Sequence, residues 1–372
     1  MSVSSNSTLQ IGLIGAGMVG QLHAQAISHV QGLKVVAVAD LRPELCRQVA
    51  EKYGIPRTYT SHRELLADAG VDAVVVVVRR NATSAVVRDC LLAGKHVLSE
   101  KPMAMTHATA AGLVDIARER NLLYAVGFQK RHDSGTERCL ETLTKLMSTG
   151  ELGRLTLVRS WNHTGKDREP DAGLLMTSEE RPVGLKLDAQ KPDWLPETYG
   201  ASYDRFVNAF CHDVNAIHHF FAEDPQVRAA ELEIMGGQAI ILTGKSFVVS
   251  MALTLSELTT WEQRGEWDEG LEFHFEGGRL YLQFPPPLYR RRVARVLLYR
   301  GSEPAQVISD GTSSLSAFSL QARNFLADLQ AKRPSRSSGQ ACLRDMNLIE
   351  KIWRVALDRQ TASGAPPFAA TR

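Results

Sequence analysis

The sequence predicts an α/β chain in two parts. A doubly wound parallel sheet occupies residues 1–130, and an α/β domain with a large, open, mostly antiparallel sheet occupies 131–372. Three observations predict this. Strand and helix signals alternate up to Gly127. Beyond Gly150 strands follow one another with few helices, and they are two-faced rather than apolar throughout. Finally, 372 residues exceed what one ordinary core organises.

In the first part, Leu9–Ile14 reads as a buried strand, followed by Gly15-Ala16-Gly17-Met18-Val19-Gly20 and a helix to about Val30. Lys34–Ala39 is a second strand, ending at Asp40. Pro43 suits the first position of the next helix, which stops at Gly54. Ser61 caps a short helix, and Asp72–Val78 is a strand apolar on both faces. A helix over about Ala82–Ala93, a strand His96–Ser99, a helix Thr106–Asn121 and a strand Leu122–Gly127 complete the alternation. A linking helix (about Gly135–Thr149) and the turn Gly150–Gly153 open the second part. Its predicted strands are Arg154–Asn162, Val227–Met235, Ala239–Thr243, Phe247–Leu255, Gly270–Phe275, Leu280–Phe284 and Ala294–Tyr299. Phe247, Val249, Met251, Leu253 and Leu255 share one face, with Ser246, Ser250, Thr254 and Ser256 on the other. A helix over Asp204–Phe221 interrupts the series, residues 163–200 read as a long ordered loop, and two amphipathic helices finish the chain.

Composition excludes several classes. Lys plus Arg is 43 and Asp plus Glu is 41, so a net charge of +2 gives no general attraction to nucleic acid or an anionic membrane. The basic group Arg290, Arg291, Arg292 and Arg295 lacks interleaved aromatics and reads as a solvated strand end. The longest apolar run, Ala73–Val78, cannot span a bilayer, and the opening MSVSSNSTLQ reads as a frayed tail rather than a secretory signal. Five scattered cysteines, without Cys-x-x-Cys spacing, argue for a reducing, cytoplasmic setting and against structural zinc.

The glycine motif follows a strand and opens a helix, which makes it a dinucleotide-binding turn of the Rossmann type. Gly15 permits the tight turn, Gly17 lets backbone approach a pyrophosphate, and Gly20 allows close helix packing. Met18 and Val19 begin the helix whose N–H groups face the phosphates. Asp40 is placed to take the ribose hydroxyls and to repel a 2′-phosphate, which favours NAD(H) over NADP(H). Arg42 tempers that preference, although a solvated helix-start arginine is the plainer reading.

Together with this start, Gly94-Lys95-His96-Val97-Leu98-Ser99-Glu100-Lys101-Pro102 resembles the glucose–fructose oxidoreductase / inositol dehydrogenase / MocA family. Val126-Gly127-Phe128 with Arg131, the Gly150–Gly153 turn and the helix carrying His212 extend the resemblance over nearly the whole chain. The resemblance implies a pyridine-nucleotide oxidoreductase acting on a sugar, cyclitol or similar polyol. It places Lys101 beside nicotinamide and the reacting oxygen, with Glu100 and Asn81 at the cofactor. It also implies a second domain that binds substrate and assembles a homodimer or homotetramer, with the C-terminal helices packing back. Without the family, Lys101 still lies just past a parallel strand's carboxyl end, where ligands bind and an ammonium can stabilise a developing alkoxide.

Two departures stand out. The family's Thr-Pro-Asn-x-x-His stretch reads Arg79-Arg80-Asn81-Ala82-Thr83-Ser84, so only Asn81 is kept; the two arginines contact phosphate or acidic substrate, or are solvated loop charges. The Asp-x-x-x-His-x-x-Asp pattern of family polyol dehydrogenases reads Asn208-Ala209-Phe210-Cys211-His212-Asp213-Val214-Asn215. Asn208, His212 and Asn215 share one helical face, and His212 is the chosen acid/base, with Asp213 in reserve; the resemblance implies Tyr203, at the helix start, as a second reserve, since some ketoreductases of the family use a tyrosine donor. His218 and His219 complete no metal-binding spacing, so no metal is expected. Trp161, Asn162 and His163, with Lys166, Asp167, Arg168, Glu169 and Asp171, line or cap a sugar pocket, or form an ordinary loop. The expectation is an NAD(H)-dependent dehydrogenase or ketoreductase using Lys101 and His212. The rivals are a family-type glycosidase that oxidises its sugar transiently and a catalytically silent nucleotide-binding regulator.

Overall fold

The computed structural model describes residues 8–169, 173–180, 187–232, 237–255, 260 and 262–363. The chain forms two compact units. One gathers Met1–Gln129, Asp171–Pro192 and Phe318–Leu343; the other gathers Lys130–Pro170, Asp193–Ala317 and Arg344–Arg372.

The first unit alternates β1 (Leu9–Ile14), α1 (Met18–Ser28), β2 (Leu33–Ala39), α2 (Pro43–Tyr53), β3 (Arg57–Tyr59), α3 (His62–Leu66), β4 (Ala73–Val76), α4 (Arg80–Leu92), β5 (His96–Glu100), α5 (His107–Glu119) and β6 (Tyr124–Gly127). Its strands lie in the order β3-β2-β1-β4-β5-β6, every pair parallel. Strand order reverses between β1 and β4, the place where open α/β sheets bind ligands. Local chemistry sets the ends. Pro43 opens α2 and Gly54 closes it in the left-handed region, at φ 65°. Ser61 accepts from the Arg63 N–H, and Thr106 from the Thr109 N–H.

In the second unit come α6 (Ser134–Thr149), β7 (Leu155–His163), α7 (Gly200–Phe220), β8 (Gln226–Leu232), β9 (Gly237–Thr243), β10 (Val248–Thr254), β11 (Asp268–Phe275), β12 (Gly278–Phe284), β13 (Arg295–Arg300) and β14 (Gln306–Ser309). The sheet order is β14-β13-β12-β11-β7-β10-β9-β8, and β7 with β10 is its one parallel pair. The predicted alternation holds: Val249, Met251 and Leu253 are buried, while Val248, Ser250 and Thr254 face outward. Ser256 and residues 233–235 of the expected second strand lie outside the described residues. Phe220 of α7 packs edge-on against Phe273 of β11 at 5.1 Å, so the helix covers the sheet's inner face. Of the closing helices α8 (Ala317–Gln330) and α9 (Gly339–Ser363), α8 places Ala322, Phe325 and Leu326 in the first unit's core beside Leu9, Ile11, Leu45 and Val49.

Some expectations needed correction. β3 and β14 have three and four residues, too few to show a period, and only their sheet partners define them. The Asp72–Val78 strand narrows to Ala73–Val76, and α4 starts at Arg80, so Arg80 and Asn81 belong to a helix rather than a loop.

Candidate functional site

The glycine turn has the tight backbone and close helix packing that its sequence predicts. Gly15 has φ +107°, and a Cβ there would lie 2.0 Å from the Val77 carbonyl oxygen. A Cβ on Gly20 would lie 2.0 Å from the Gly15 carbonyl oxygen, so α1 sits directly on the turn. At Gly17 the space in front is open: the nearest atom to such a Cβ is Arg42 Nη2, at 3.8 Å. Gly17 is also the N-cap of α1 and supplies no side-chain acceptor, so the positive end of the helix dipole faces this open space without a capping side chain. Met18 and Val19, half-buried, stand at this same end. These features fit a dinucleotide pyrophosphate.

Asp40 ends β2 as predicted, but its carboxylate is engaged. Oδ2 accepts from the Ala16 N–H at 2.8 Å and from Arg42 Nη2 at 3.0 Å. Oδ1 accepts from the Arg42 backbone N–H at 3.0 Å and from Arg42 Nε at 2.9 Å. Burial raises the Asp40 pKa, yet the Arg42 and backbone hydrogen bonds outweigh it and hold it below the ordinary carboxylate range. Four donors fill the lone-pair directions of a carboxylate. Ribose hydroxyls would therefore have to displace an Arg42 contact. Arg42 itself is 9% exposed, not the solvated residue expected.

Glu100 closes β5. Its Oε1 meets His23 Nε2 of α1 at 2.8 Å, and its Oε2 accepts from the Lys101 N–H at 3.2 Å. The carboxylate thus pins the start of the turn that carries Lys101 and spends itself on the chain's own groups. His23 in turn lies edge-on to Phe318 at 5.1 Å. Lys101 is half-buried, one residue past the strand, and its bond to Pro102 is cis. Arg79 caps α4 and is exposed, while the Asn81 carbonyl accepts from Gln190 Nε2 at 3.2 Å.

In the second unit, α7 carries the candidate acid/base. His212 is 8% exposed and Asn208 half-buried. Asn215 shares their helical face in sequence but is a strut: its Oδ1 accepts from Arg131 Nε at 2.7 Å, and its Nδ2 donates to Asp345 Oδ2 at 2.6 Å. His218 Nδ1 meets the same Asp345 at 2.7 Å. Tyr203 is fully buried, edge-on to Trp353 at 5.5 Å, and burial pushes its hydroxyl pKa well up. It is a core residue.

Beside His212 lies a polar cluster that the sequence reading missed. Asp213 Oδ2 accepts from Asn162 Nδ2 at 2.9 Å. Register pairs Asn162 with Glu269 on the inner face, and Glu269 forms an ion pair with Lys130. Trp267 Nε1 donates to Glu269 Oε2 at 2.8 Å, and Lys130 Nζ stands over the Phe284 ring at 5.0 Å. Burial, then the Glu269 charge, pushes the Asp213 carboxyl well above its usual range, against the pull of Lys130. The available signal was Glu269 itself, a charge at an inward position followed by Leu271, Phe273 and Phe275. Trp161 and Asn162 do not line one pocket, since alternation sends them to opposite faces. Trp161 stacks on Tyr281 at 5.4 Å and donates to Asp268 at 2.9 Å, and His163 meets Thr254 at 2.8 Å. In the following loop Glu169 pairs with Arg290 at 2.9 Å, and Asp171 lies outside the described residues. Among the described residues no group of three or more His, Cys, Asp or Glu is arranged to hold a metal, and no helix is long and apolar enough to cross a membrane.

Residues 9–128 match the model of the GFO/IDH/MocA family, an oxidoreductase family with an NAD-binding Rossmann fold. The chain is 30% identical over 162 residues to myo-inositol 2-dehydrogenase of Thermotoga maritima, covering 44% of this chain and 46% of the relative. It is 40% identical over 132 residues to inositol 2-dehydrogenase/D-chiro-inositol 3-dehydrogenase of Shouchella clausii, covering 34% and 38%. The matches thus span less than half the length of these curated relatives. Among solved structures it resembles KijD10, a 3-ketoreductase from Actinomadura kijaniata, with TM-score 0.71, 19% identity and coverage of 94% of this chain and 98% of that one. It also resembles the aldose-aldose oxidoreductase of Caulobacter crescentus, with TM-score 0.72, 16% identity and coverage of 95% and 98%. At such identities the likeness is one of fold. With a 3-2-1-4-5-6 parallel sheet, this glycine turn and the match over residues 9–128, the first unit is an NAD-binding Rossmann fold of the kind that the GFO/IDH/MocA family model describes.

Proposed function

We propose that the protein is an NAD(H)-dependent dehydrogenase or ketoreductase of a sugar, aminosugar or cyclitol. The observation that carries this reading is the Lys101 turn, pinned through Glu100 to His23 of the helix that the glycine turn opens. Its relatives' activity toward inositols supports the polyol class.

The bound dinucleotide supplies the hydride acceptor or donor. The chain's residues do the rest. Gly17 and the first turn of α1 bind the pyrophosphate. Lys101 stabilises negative charge on the substrate oxygen as the carbon–hydrogen bond breaks or forms. His212 takes the hydroxyl proton on an imidazole nitrogen during oxidation and returns it during reduction. Asp213 is less suited because it is buried and its carboxylate is already held by Asn162 Nδ2 at 2.9 Å. Tyr203 is less suited because its hydroxyl is enclosed in the core. The five free, buried cysteines support a reducing, cytoplasmic setting. Val248, exposed on the outer face of the second sheet beside Ser250 and Thr254, supports a homodimer or homotetramer.

The test is absorbance at the NADH band across a panel of sugars and cyclitols with each nucleotide. Net NADH from a polyol supports the reading. Departure of a glycosidic leaving group without net NADH would favour the glycosidase. Nucleotide binding with no turnover on any panel member would favour the regulator.

A further inference from the structure

The start of α2 holds an anion that belongs to the chain itself. Glu179 Oε1 accepts from the Glu44 N–H at 3.1 Å, and Glu179 Oε2 accepts from the Leu45 N–H at 2.7 Å. Glu179 comes from the segment 173–180, which belongs to the first unit. That segment is fastened at two further places. Gln21 of α1 binds Leu175 in both directions, donating to its carbonyl at 2.9 Å and accepting from its N–H at 2.8 Å. Lys52 of α2 donates to the Gly173 carbonyl. Thr177 Oγ1 accepts from the Glu179 N–H at 3.1 Å and donates to its Oε2 at 3.3 Å, fixing the carboxylate.

This carboxylate bears on nucleotide choice. In a dinucleotide fold of this kind the adenosine ribose lies beyond the second strand, and a 2′-phosphate there seeks a nearby arginine. It also seeks the free N–H groups of a helix start. Here Asp40 holds the guanidinium of Arg42, and Glu179 holds the N–H groups of α2. Arg42 feels Glu179 as well, since the guanidinium's charge is favoured first by the Asp40 hydrogen bond and further by Glu179. With Asp40 neutralised by Arg42, the repulsion expected from Asp40 alone is weakened. The second carboxylate restores a net negative charge of one across the three side chains.

Resting on the reading that this unit binds NAD(H), we propose that Glu179 is a determinant of nucleotide specificity: an internal carboxylate that fills the anion position at the start of α2 and excludes the 2′-phosphate of NADP(H). The occupant it competes with is a phosphate monoester on the adenosine ribose.

The test is a pair of fluorescence titrations, with NADH and with NADPH, on the full-length protein. Glu179→Gln and Glu179→Ala should raise NADPH affinity relative to NADH by roughly tenfold or more, because a like charge facing the phosphate is removed. Adding Arg42→Ala to Glu179→Gln should cancel that gain, because the phosphate then has no guanidinium. Unaltered protein gives an independent check: its NADPH-to-NADH affinity ratio should rise with ionic strength as the repulsion is screened. A ratio unchanged in Glu179→Gln while NADH binding persists overturns the proposal and leaves the NAD(H) reading standing. So does a wild-type ratio that falls with salt. Wild-type protein that binds neither nucleotide overturns both.

Discussion

Substitutions at Gly17 and Gly20 should separate folding from nucleotide binding, although the two glycines lie three residues apart. A methyl at Gly20 would stand 2.0 Å from the Gly15 carbonyl oxygen and 3.0 Å from its carbon. Ordinary contact begins at 3.4 Å, so the shortfall is 3.4 − 2.0 = 1.4 Å, against backbone that no rotamer change can clear. Helix α1 would have to withdraw from the turn, loosening buried Leu22, Ala24 and Ile27. Overpacking of this kind costs about 1–3 kcal/mol, and a backbone obstacle puts Gly20→Ala at the upper end. A methyl at Gly17 meets only Arg42 Nη2 at 3.8 Å, and the backbone there, at φ −64°, admits alanine. Gly17→Ala should therefore unfold within about 1 kcal/mol of wild type, on the stable side, because alanine restricts the unfolded chain. That methyl stands where a pyrophosphate must approach, so NADH affinity should fall roughly tenfold to a hundredfold, about 1.4–2.8 kcal/mol. Urea unfolding followed by circular dichroism reads the first effect, and NADH fluorescence titration reads the second. Wild-type NADH binding by Gly17→Ala would remove the pyrophosphate from this turn. Wild-type stability in Gly20→Ala would refute the packing argument.

Lys101→Met should abolish hydride transfer while leaving NADH binding measurable, and His212→Asn should lower turnover by roughly 10²–10⁴-fold. Near-full turnover in His212→Asn beside collapse in Asp213→Asn would move the proton to Asp213. The Asp213 carboxyl also makes stability depend on pH. Its folded pKa is raised, chiefly by burial, so its contribution is fully present below the unfolded value and is lost as pH rises through the folded one. Asp213→Asn cannot ionise, so its urea stability should gain on wild type as pH rises above the unfolded carboxyl value of about 4; parallel profiles would contradict this assignment. Light scattering at micromolar concentration should give a dimer or tetramer mass, and a monomer would count against the outer sheet face as an interface.

Local sequence determined much of the first unit. The glycine turn, the strand before it, Asp40 at the next strand's end and the capped helices follow from short-range rules: a Gly where φ is positive, a Pro at a helix start, a side-chain oxygen at an N-cap. Periodicity likewise assigned Met251 and Leu253 to the inner face of their strand. Tertiary structure decided what those rules cannot reach. Short edge strands carry no period, so β3 and β14 exist only through their partners. The parallel pairing of β7 with β10 joins segments separated by a helix and two strands. The same holds for side chains. Asn215 was placed by helical spacing and Tyr203 by the family resemblance, yet Asp345 and Trp353 made one a strut and the other core. Lys130 and Glu269 are 139 positions apart, and Glu179 reaches Leu45 across 134. Charges that meet only after folding leave no local pattern in a sequence, because what selects them is the cost of burying each one alone.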